Sequence, residues 1–152
     1  MVQLQTQMAE GRVSIILEPE EARADSFLVL GAELRLGQVL VNLITNALTF
    51  SPDKGKIWVR LSRERGHILM SVEDQGIGFP ADKLNKVFAR FYTDRPEQDG
   101  FGKHSGLGLS ICKQILDAHG GSIWAENADF KGEIAGARVV LRLPEMPADF
   151  KI

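Results

Sequence analysis

Hydrophobic and polar positions follow two different periods along the chain, and the shorter period marks strands. Residues 57–61 alternate apolar with polar side chains, which is the pattern of a strand that buries one face. The Gly66 and His67 pair predicts a hairpin turn, and residues 68–73 predict the returning strand. Four other short apolar segments predict further strands, at 13–17, 26–30, 122–126 and 137–143.

Helical patterns occupy three segments. Residues 33–50 predict one long helix, and Pro52 ends it because proline disfavours helical conformation in the residue before it. Residues 82–91 predict a short helix entered at Pro80. Residues 106–119 predict another helix, which two consecutive glycines end.

The segment 93–105 differs from its neighbours because it is polar, contains glycines and has hardly any apolar residue but Phe101. Such a segment cannot pack into a core, so we expect a mobile loop there. Hairpin strands that are separate from the helices argue against βαβ alternation. The pattern therefore predicts an α+β fold, a two-layer α/β sandwich in which a mixed, mostly antiparallel sheet packs on about three helices.

The composition is that of one globular domain. The chain has 152 residues, of which 44% are hydrophobic and 25% charged. The formal net charge is −2, and the basic residues are scattered, which argues against a nucleic-acid partner. We expect the domain to occupy residues 11–145, with a tail or the end of a preceding helix at 1–10 and a C-terminal tail at 146–152.

The single cysteine, Cys112, bears on the compartment. One thiol cannot form an internal disulfide or a Cys-rich zinc site, so a reducing compartment is expected. Apolar runs such as residues 68–70 are far shorter than the roughly 20 residues that cross a bilayer. The N-terminus lacks the basic segment and apolar stretch of a signal peptide. We therefore expect a cytoplasmic domain that makes no membrane contact.

Uncharged polar side chains, three of them amides, form the first candidate site. Gln38, Asn42, Asn46 and Thr49 recur at spacings of four, four and three, so they line one stripe of the long helix. The stripe is compatible with an ordinary solvent-facing surface. Such a surface normally carries Lys and Glu, however, and buried amides need partners. The stripe therefore also fits a partly enclosed groove that binds a ligand.

A turn that follows a predicted strand forms the second candidate. Residues 73–79 read Glu-Asp-Gln-Gly-Ile-Gly-Phe, which fits a tight turn because glycine tolerates positive φ. The acids are not spaced as in an EF-hand calcium loop, which is excluded. Asp74 would present a carboxylate, which only accepts hydrogen bonds, so its natural partner is an amino group. The two glycines would let the backbone approach a flat ring closely.

Glycines before the last predicted helix form the third candidate. Residues 102–109 read Gly-Lys-His-Ser-Gly-Leu-Gly-Leu. Unpaired N–H groups and the positive end of the helix dipole make such a helix start a suitable anion site. The segment is neither a P-loop nor a Rossmann fingerprint, and taken alone it is a weak signal.

The order of these motifs, with Phe-x-Arg-Phe between the second and the third, resembles the histidine-kinase branch of the GHKL ATPases, which share the Bergerat fold. The resemblance covers residues 11–145. The N, G1, F and G2 boxes of that family correspond to residues 42–47, 74–78, 87–92 and 105–109. More narrowly, residues 91–96 and 105–110 resemble the ChvG group of alphaproteobacterial sensors.

The resemblance implies how these boxes bind ATP. Asp74 would accept a hydrogen bond from the adenine amino group, and Phe50 would stack on the ring. Asn42 and Asn46 would face the triphosphate, with the Asn46 oxygen on Mg²⁺, a hard cation that prefers oxygen ligands. Further nucleotide contacts are expected from the G1 and G2 boxes: Gly76, Ile77, Gly78, Ser105, Gly106, Leu107, Gly108 and Leu109.

The resemblance also implies a reaction, transfer of the γ-phosphoryl group to a histidine. Residues 93–105 would form a lid over ATP, and Arg90 and Lys103 would neutralise phosphate charge. Gln38 stands where many relatives carry a glutamate that is proposed as a base, so it would orient the incoming imidazole. Thr49 stands where the family usually carries a phosphate-contacting lysine.

The acceptor histidine is expected on dimerisation helices outside this chain, because His67, His104 and His119 lack the acidic neighbour of an acceptor. A response regulator is the expected downstream partner, and the parent protein is expected to be anchored in the inner membrane. Gln38 and Thr49 keep open an alternative, a non-catalytic nucleotide-binding regulatory module. The F box argues against a third reading, an anti-sigma serine kinase.

Overall fold

The computed structural model describes residues 13–19, 29–89 and 108–147. In this part of the chain a five-stranded sheet forms one layer and two α-helices form the other. The strands are β1 (Ser14–Pro19), β2 (Lys56–Glu64), β3 (His67–Glu73), β4 (Ser122–Phe130) and β5 (Glu133–Pro144), and the helices are α1 (Glu33–Phe50) and α2 (Gly108–Ala118). The strand order is β1-β2-β3-β5-β4, with β1 parallel to β2 and all other neighbours antiparallel. The expected α+β sandwich with a mixed, mostly antiparallel sheet is confirmed.

The core lies between the sheet and the helices. Val59, Val72, Val139 and Ala125 form one row in register across four strands, and all four side chains are buried. Burial of an aliphatic side chain of this size contributes about 1.5–3 kcal/mol. The helices add a matching set of buried residues: Val39, Leu43, Ala47, Cys112, Ile115 and Leu116.

Five of the six predicted strands are present, and all five are longer than expected; the exception is the strand predicted at 26–30. The β2–β3 turn lies at Arg65 and Gly66, whose φ values are +50° and +78°. The turn is thus one residue earlier than predicted, and His67 already belongs to β3. Val29 forms an isolated antiparallel bridge with Glu145; residues 26–28 of the predicted second strand lie outside the described residues.

The short helix predicted at 82–91 is not an α-helix in its described part. A 3-10 helix spans Ala81–Lys83, and the turns that follow are held by hydrogen bonds between residues three apart, such as Lys86 N–H to Lys83 O and Ala89 N–H to Lys86 O. Three-residue turns still bring Val87 into the core, where it is 2% exposed. Of the helices in the described ranges, none is long and apolar enough to cross a membrane.

His119 connects the two helices at their facing ends. The Nδ1–H of His119 donates to Ile115 O at 2.7 Å, so Nε2 is the free acceptor, and it receives the Ala32 N–H at 3.0 Å. No side chain of the N-cap residue Ala32 bonds to α1, and His119 therefore binds one of the N–H groups that this helix start leaves unpaired. His119 therefore has a structural role at the junction of the two helices.

Cys112 also joins the helices, because its thiol contacts Val39 O at 3.8 Å and is fully buried. Burial raises the pKa of the Cys112 thiol from 9.0 to about 11, against a smaller opposing effect of a hydrogen bond with Asn42. The unfolded chain thus loses this proton at a lower pH than the folded domain does. The stability that Cys112 contributes through its proton is present below about pH 9 and is lost as the pH rises toward 11.

We predict that Cys112 reacts slowly with alkylating reagents in the folded domain, because the thiolate is the reactive form and burial disfavours it. Iodoacetamide labelling at neutral pH, followed by mass spectrometry, should be slow for the native protein and fast in denaturant. Equal labelling rates in the two conditions would contradict a buried thiol. A Cys112→Ser variant, which has no thiol, supplies the background.

Candidate functional site

The polar stripe of α1 faces the start of α2. Gln38, Asn42, Asn46 and Thr49 are all partly exposed. The Asn42 Nδ2 donates to Gly108 O at 3.3 Å, which ties the stripe to the first residue of α2. The Thr49 hydroxyl donates to Thr45 O at 2.9 Å within its own helix. The stripe is therefore a neighbour of Gly108, which belongs to the described part of the third candidate motif.

The other end of α1 meets the loop that contains the second motif. This segment, residues 74–79, is called the G1 loop below. A Cβ on Gly76 would collide with the carbonyl oxygen of Phe50, so the close approach of loop and helix requires glycine at that position. Phe50 and Asp74 therefore both lie beside Gly76 at the C-terminal end of α1, whereas Asn42 lies towards the start of α2.

Asp74 is buried, with 3% of its surface exposed. Its Oδ1 accepts the Gly76 N–H at 2.8 Å and the Ala137 N–H at 3.2 Å. The Asp74 N–H in turn donates to Ala137 O at 2.9 Å. Two backbone donors on one oxygen fix the carboxylate orientation, and hydrogen bonds to an ionised group of this kind are the stronger ones.

A chain of ion pairs crosses the opposite face of the sheet directly behind Asp74. It has one member on each strand, in the order Glu18, Arg60, Glu73, Arg138 and Glu126. Glu73 directly precedes Asp74, and Arg138 directly follows Ala137, whose N–H binds the Asp74 carboxylate. The shortest links are 2.7 Å from Arg138 to Glu73 and 2.8 Å from Arg138 to Glu126.

Both ends of the Arg138 bridge are shifted towards their charged forms. Burial alone would lower the pKa of Arg138, but its bonds to Glu126 and Glu73 outweigh burial and raise it. Burial alone would raise the pKa of Glu126, yet hydrogen bonds from Trp124 and Arg138 hold it below its ordinary value. The ionised form of the bridge is therefore favoured, and the bridge links β3, β5 and β4 behind Asp74.

Several predicted site residues are not tested by this geometry. Gly108 and Leu109 begin α2; Gly108 is exposed, and Leu109 packs partly against the core. Ile77 is 54% exposed on the G1 loop. Arg90, the lid segment 93–105 with Lys103 and Ser105, and Gly106 and Leu107 lie outside the described residues.

Two residues that the sequence did not single out hold the G1 loop. The backbone of Ala137 pairs with Asp74, and the side chain of Asn127 on β4 bonds to both the N–H and the C=O of Phe79 at 2.8 Å each. A backbone partner leaves no signal in side-chain identity. A single asparagine in a strand is equally uninformative until the fold places it beside the loop.

The oxygen atoms along α1 suit a cation that takes most of its ligands from phosphates and water. Within the described ranges no three His, Cys, Asp or Glu side chains lie close enough together to hold a metal ion. Mg²⁺ is usually held by one or two protein oxygens with substrate phosphates and water completing its shell. The partly exposed amide of Asn46 fits such a single protein oxygen.

Comparison with known proteins shows the family of the chain. Residues 31–147 match the family described as histidine kinase-, DNA gyrase B-, and HSP90-like ATPase. Sensor protein ChvG of Rhizobium meliloti is 47% identical over 97% of this chain, which spans only 26% of that relative.

Solved structures agree. The mycobacterial sensor histidine kinase MprB is 31% identical with a TM-score of 0.75, covering 89% of this chain and 83% of its own. The histidine kinase ThkA, in complex with the response regulator TrrA, is 28% identical with a TM-score of 0.69, covering 91% and 36%. The chain therefore belongs to the histidine kinase-, DNA gyrase B- and HSP90-like ATPase family, as an ATP-binding catalytic domain homologous to those of sensor histidine kinases.

Proposed function

We propose that this domain binds Mg²⁺-ATP in the groove between α1, the G1 loop and the start of α2. In the parent protein it transfers the γ-phosphoryl group to a histidine on dimerisation helices outside this chain. The observation that carries the proposal is Asp74, a buried carboxylate whose orientation two backbone N–H groups fix beside the amide stripe of α1. Burial of a carboxylate is costly unless hydrogen bonds compensate it, and the two backbone donors supply such bonds while they fix the direction of the group.

Adenine occupies the Asp74 end of the groove. Its amino group donates to the carboxylate, and Gly76, Ile77 and Gly78 let the backbone pass close to the ring. Phe50 is the last residue of α1, and its backbone adjoins Gly76; we assign its ring to stacking on the base.

The triphosphate lies along the stripe towards α2. Asn42 is already tied to Gly108 at the α2 start, where unpaired N–H groups and the helix dipole favour anions. Asn46 supplies an oxygen for Mg²⁺, and the bound cation offsets the charge of the phosphates. Gly106, Leu107 and Ser105 precede α2 and contribute further donors, with Gly108 and Leu109 at its start.

The transfer step requires alignment and charge neutralisation more than covalent help from the protein. The acceptor imidazole nitrogen forms the new bond to phosphorus as the bond to the β-phosphate oxygen breaks, and ADP leaves. Gln38 lies one turn before Asn42 and orients the imidazole through a hydrogen bond, since an amide cannot take up its proton. Arg90 and Lys103 neutralise the phosphates.

The parent protein supplies the remaining partners. The chain spans 26% of the ChvG relative, so the acceptor helices and the input domain belong to other parts of the parent. A response regulator is the downstream partner, by analogy with the ThkA–TrrA complex. The domain works in the cytoplasm, with the parent anchored in the inner membrane, and its limits are residues 11–145 between tails at 1–10 and 146–152.

The proposal is tested by calorimetric titration of this domain with the β,γ-imido analogue of ATP, with and without Mg²⁺. Binding that Mg²⁺ strengthens supports it, and absence of binding contradicts it. Fusion to the histidine helices of the parent then tests transfer with radiolabelled ATP. Nucleotide binding without any phosphohistidine would favour a non-catalytic regulatory module.

We predict that Asn46→Ala weakens Mg²⁺-dependent binding of the ATP analogue about tenfold or more, while adenosine binding changes little. The reason is that Asn46 serves the metal and phosphates and not the base; loss of one charge-assisted contact is worth about 1.5–3 kcal/mol. Asn85→Ala, an exposed asparagine beyond the groove, is the matched control. Equal losses for both ligands would show that Asn46 is structural.

A further inference from the structure

The G1 loop is fixed at both ends, and the two ends are fixed differently. At Asp74 the backbone continues the pairing of β3 with β5 through Ala137. At Phe79 the chain has left the sheet, and Asn127 provides both hydrogen bonds that a neighbouring strand would otherwise provide. Its Oδ1 accepts the Phe79 N–H at 2.8 Å, and its Nδ2 donates to Phe79 O at 2.8 Å.

Asn127 is well placed for this contact because of the register of the sheet. It pairs with Ala137 across β4 and β5, and Ala137 is the residue whose N–H binds the Asp74 carboxylate. Asn127, Ala137 and Asp74 thus follow one another across the sheet. Any displacement of Asn127 relative to the G1 loop changes the loop end opposite to Asp74.

Between these two ends, the first half of the loop is held by the bond from Lys56 N–H to Gln75 Oε1 and by the bond from Gly76 N–H to Asp74 Oδ1, whereas the side chain of Asn127 holds the second half. Ile77 is 54% exposed, and Gly78 has a φ of +76°, a conformation that glycine reaches without strain. A Cβ on Gly78 would lie 2.7 Å from Asn127 Oδ1, so the loop backbone is packed against the amide itself. Phe79 is buried, with 1% of its surface exposed, but an apolar anchor does not fix the directions of the adjoining N–H and C=O groups.

We propose that Asn127 is a positioning residue for nucleotide binding, which sets the shape of the G1 loop without touching ATP. The inference rests on the proposed function, since the loop is the part that would read adenine. Only an amide meets the requirement at this position, because it donates and accepts at the same distance from its backbone. Aspartate keeps the acceptor for Phe79 N–H but places a second acceptor against Phe79 O.

The test compares wild type, Asn127→Ala, Asn127→Asp and the control Asn85→Ala. Each is titrated with the β,γ-imido analogues of ATP and of inosine triphosphate, which lacks the adenine amino group. We expect Asn127→Ala to bind the ATP analogue about tenfold more weakly, because the variant loses both hydrogen bonds that hold Phe79 in the shape that binds adenine. The inosine analogue should lose clearly less, so that discrimination between the bases falls. Asn127→Asp should lie between wild type and Asn127→Ala.

Amide hydrogen exchange gives a readout that needs no nucleotide. Gly78 and Phe79 should exchange faster in Asn127→Ala, whereas Val72 and Val139 in the sheet core should keep their protection. Unchanged exchange at Phe79, or equal weakening of both nucleotides, would overturn the positioning role. Failure of the wild type to bind either nucleotide would overturn the proposed function instead, while the exchange result would still decide whether Asn127 shapes the loop.

Discussion

Asp74→Asn should weaken binding of the ATP analogue by roughly tenfold to a hundredfold and remove the preference for ATP over inosine triphosphate. The size follows from the loss of a charge-assisted hydrogen bond, about 1.5–3 kcal/mol, at about 1.4 kcal/mol for each factor of ten. The loss of preference follows because the Asp74 carboxylate accepts a hydrogen bond from the adenine amino group, which inosine triphosphate lacks.

The structure explains why asparagine cannot simply take over at this position. The Gly76 and Ala137 N–H groups hold one side-chain oxygen, and an amide has only one oxygen. That oxygen stays with the backbone donors, so the amide offers an NH₂ group to adenine, where donor would face donor. The fold should survive, because both backbone bonds are retained.

Calorimetric titration of both analogues checks this prediction, with thermal unfolding to confirm that the variant is folded. Asp82→Asn is the matched control, since Asp82 is exposed in the 3-10 helix Ala81–Lys83. If Asp74→Asn bound the ATP analogue as tightly as wild type, the adenine assignment of Asp74 would be wrong.

The long helix shows which parts of the fold the sequence determines locally. The α1 bounds, Glu33–Phe50, were predicted from periodicity and Pro52 and are confirmed. The helix has a strong apolar face that buries Val39, Leu43 and Ala47, and proline ends it for a steric reason. Both signals lie within the segment itself, so no tertiary information is needed.

Segments whose structure depends on distant partners were predicted less well. Residues 82–91 carry Leu84, Val87, Phe88 and Phe91 at a spacing typical of an α-helix, but the described part forms successive three-residue turns, which also bury Val87. The β4 and β5 strands run on to a turn at Lys131 and Gly132, whose φ values are +52° and +81°. Pairing between the two strands extends them beyond the apolar residues.

The sequence predicts the ligand-binding side chains of the candidate site, but it does not predict the backbone groups that orient them. Asp74 stood out because it is an acid before two glycines. The groups that orient its carboxylate are the N–H of Gly76 and the N–H of Ala137, which any residue except proline would offer. Asn127 is recognised only when the fold brings β4 beside Phe79. For this reason Asp74 was predictable as a ligand-binding residue, whereas the groups that hold it and the G1 loop in place were not.

Gly136 provides the strongest test of that backbone support. A Cβ on Gly136 would collide with the carbonyl oxygen of Asp74, and it could be relieved only by moving backbone. We therefore expect Gly136→Ala to lower the free energy of unfolding by about 1–3 kcal/mol, as overpacking of a close contact does. It should also weaken binding of the ATP analogue, because separation of β5 from Asp74 lengthens the Ala137 N–H bond to the carboxylate.

Gly37→Ala makes the same chemical change in a place with room for it. Gly37 lies inside α1 with nothing within 4 Å of an added Cβ, so alanine should stabilise the domain by about 0.5–1 kcal/mol through its higher helix propensity. Denaturant unfolding measures both free energies, and titration with the ATP analogue at a temperature where both variants are folded separates binding from stability. Gly136→Ala with wild-type affinity would show that Asp74 keeps its place without Ala137. If Gly37→Ala raised the free energy of unfolding, Gly136→Ala lowered it, and only Gly136→Ala lost affinity for the ATP analogue, the β5 backbone would be shown to hold the carboxylate.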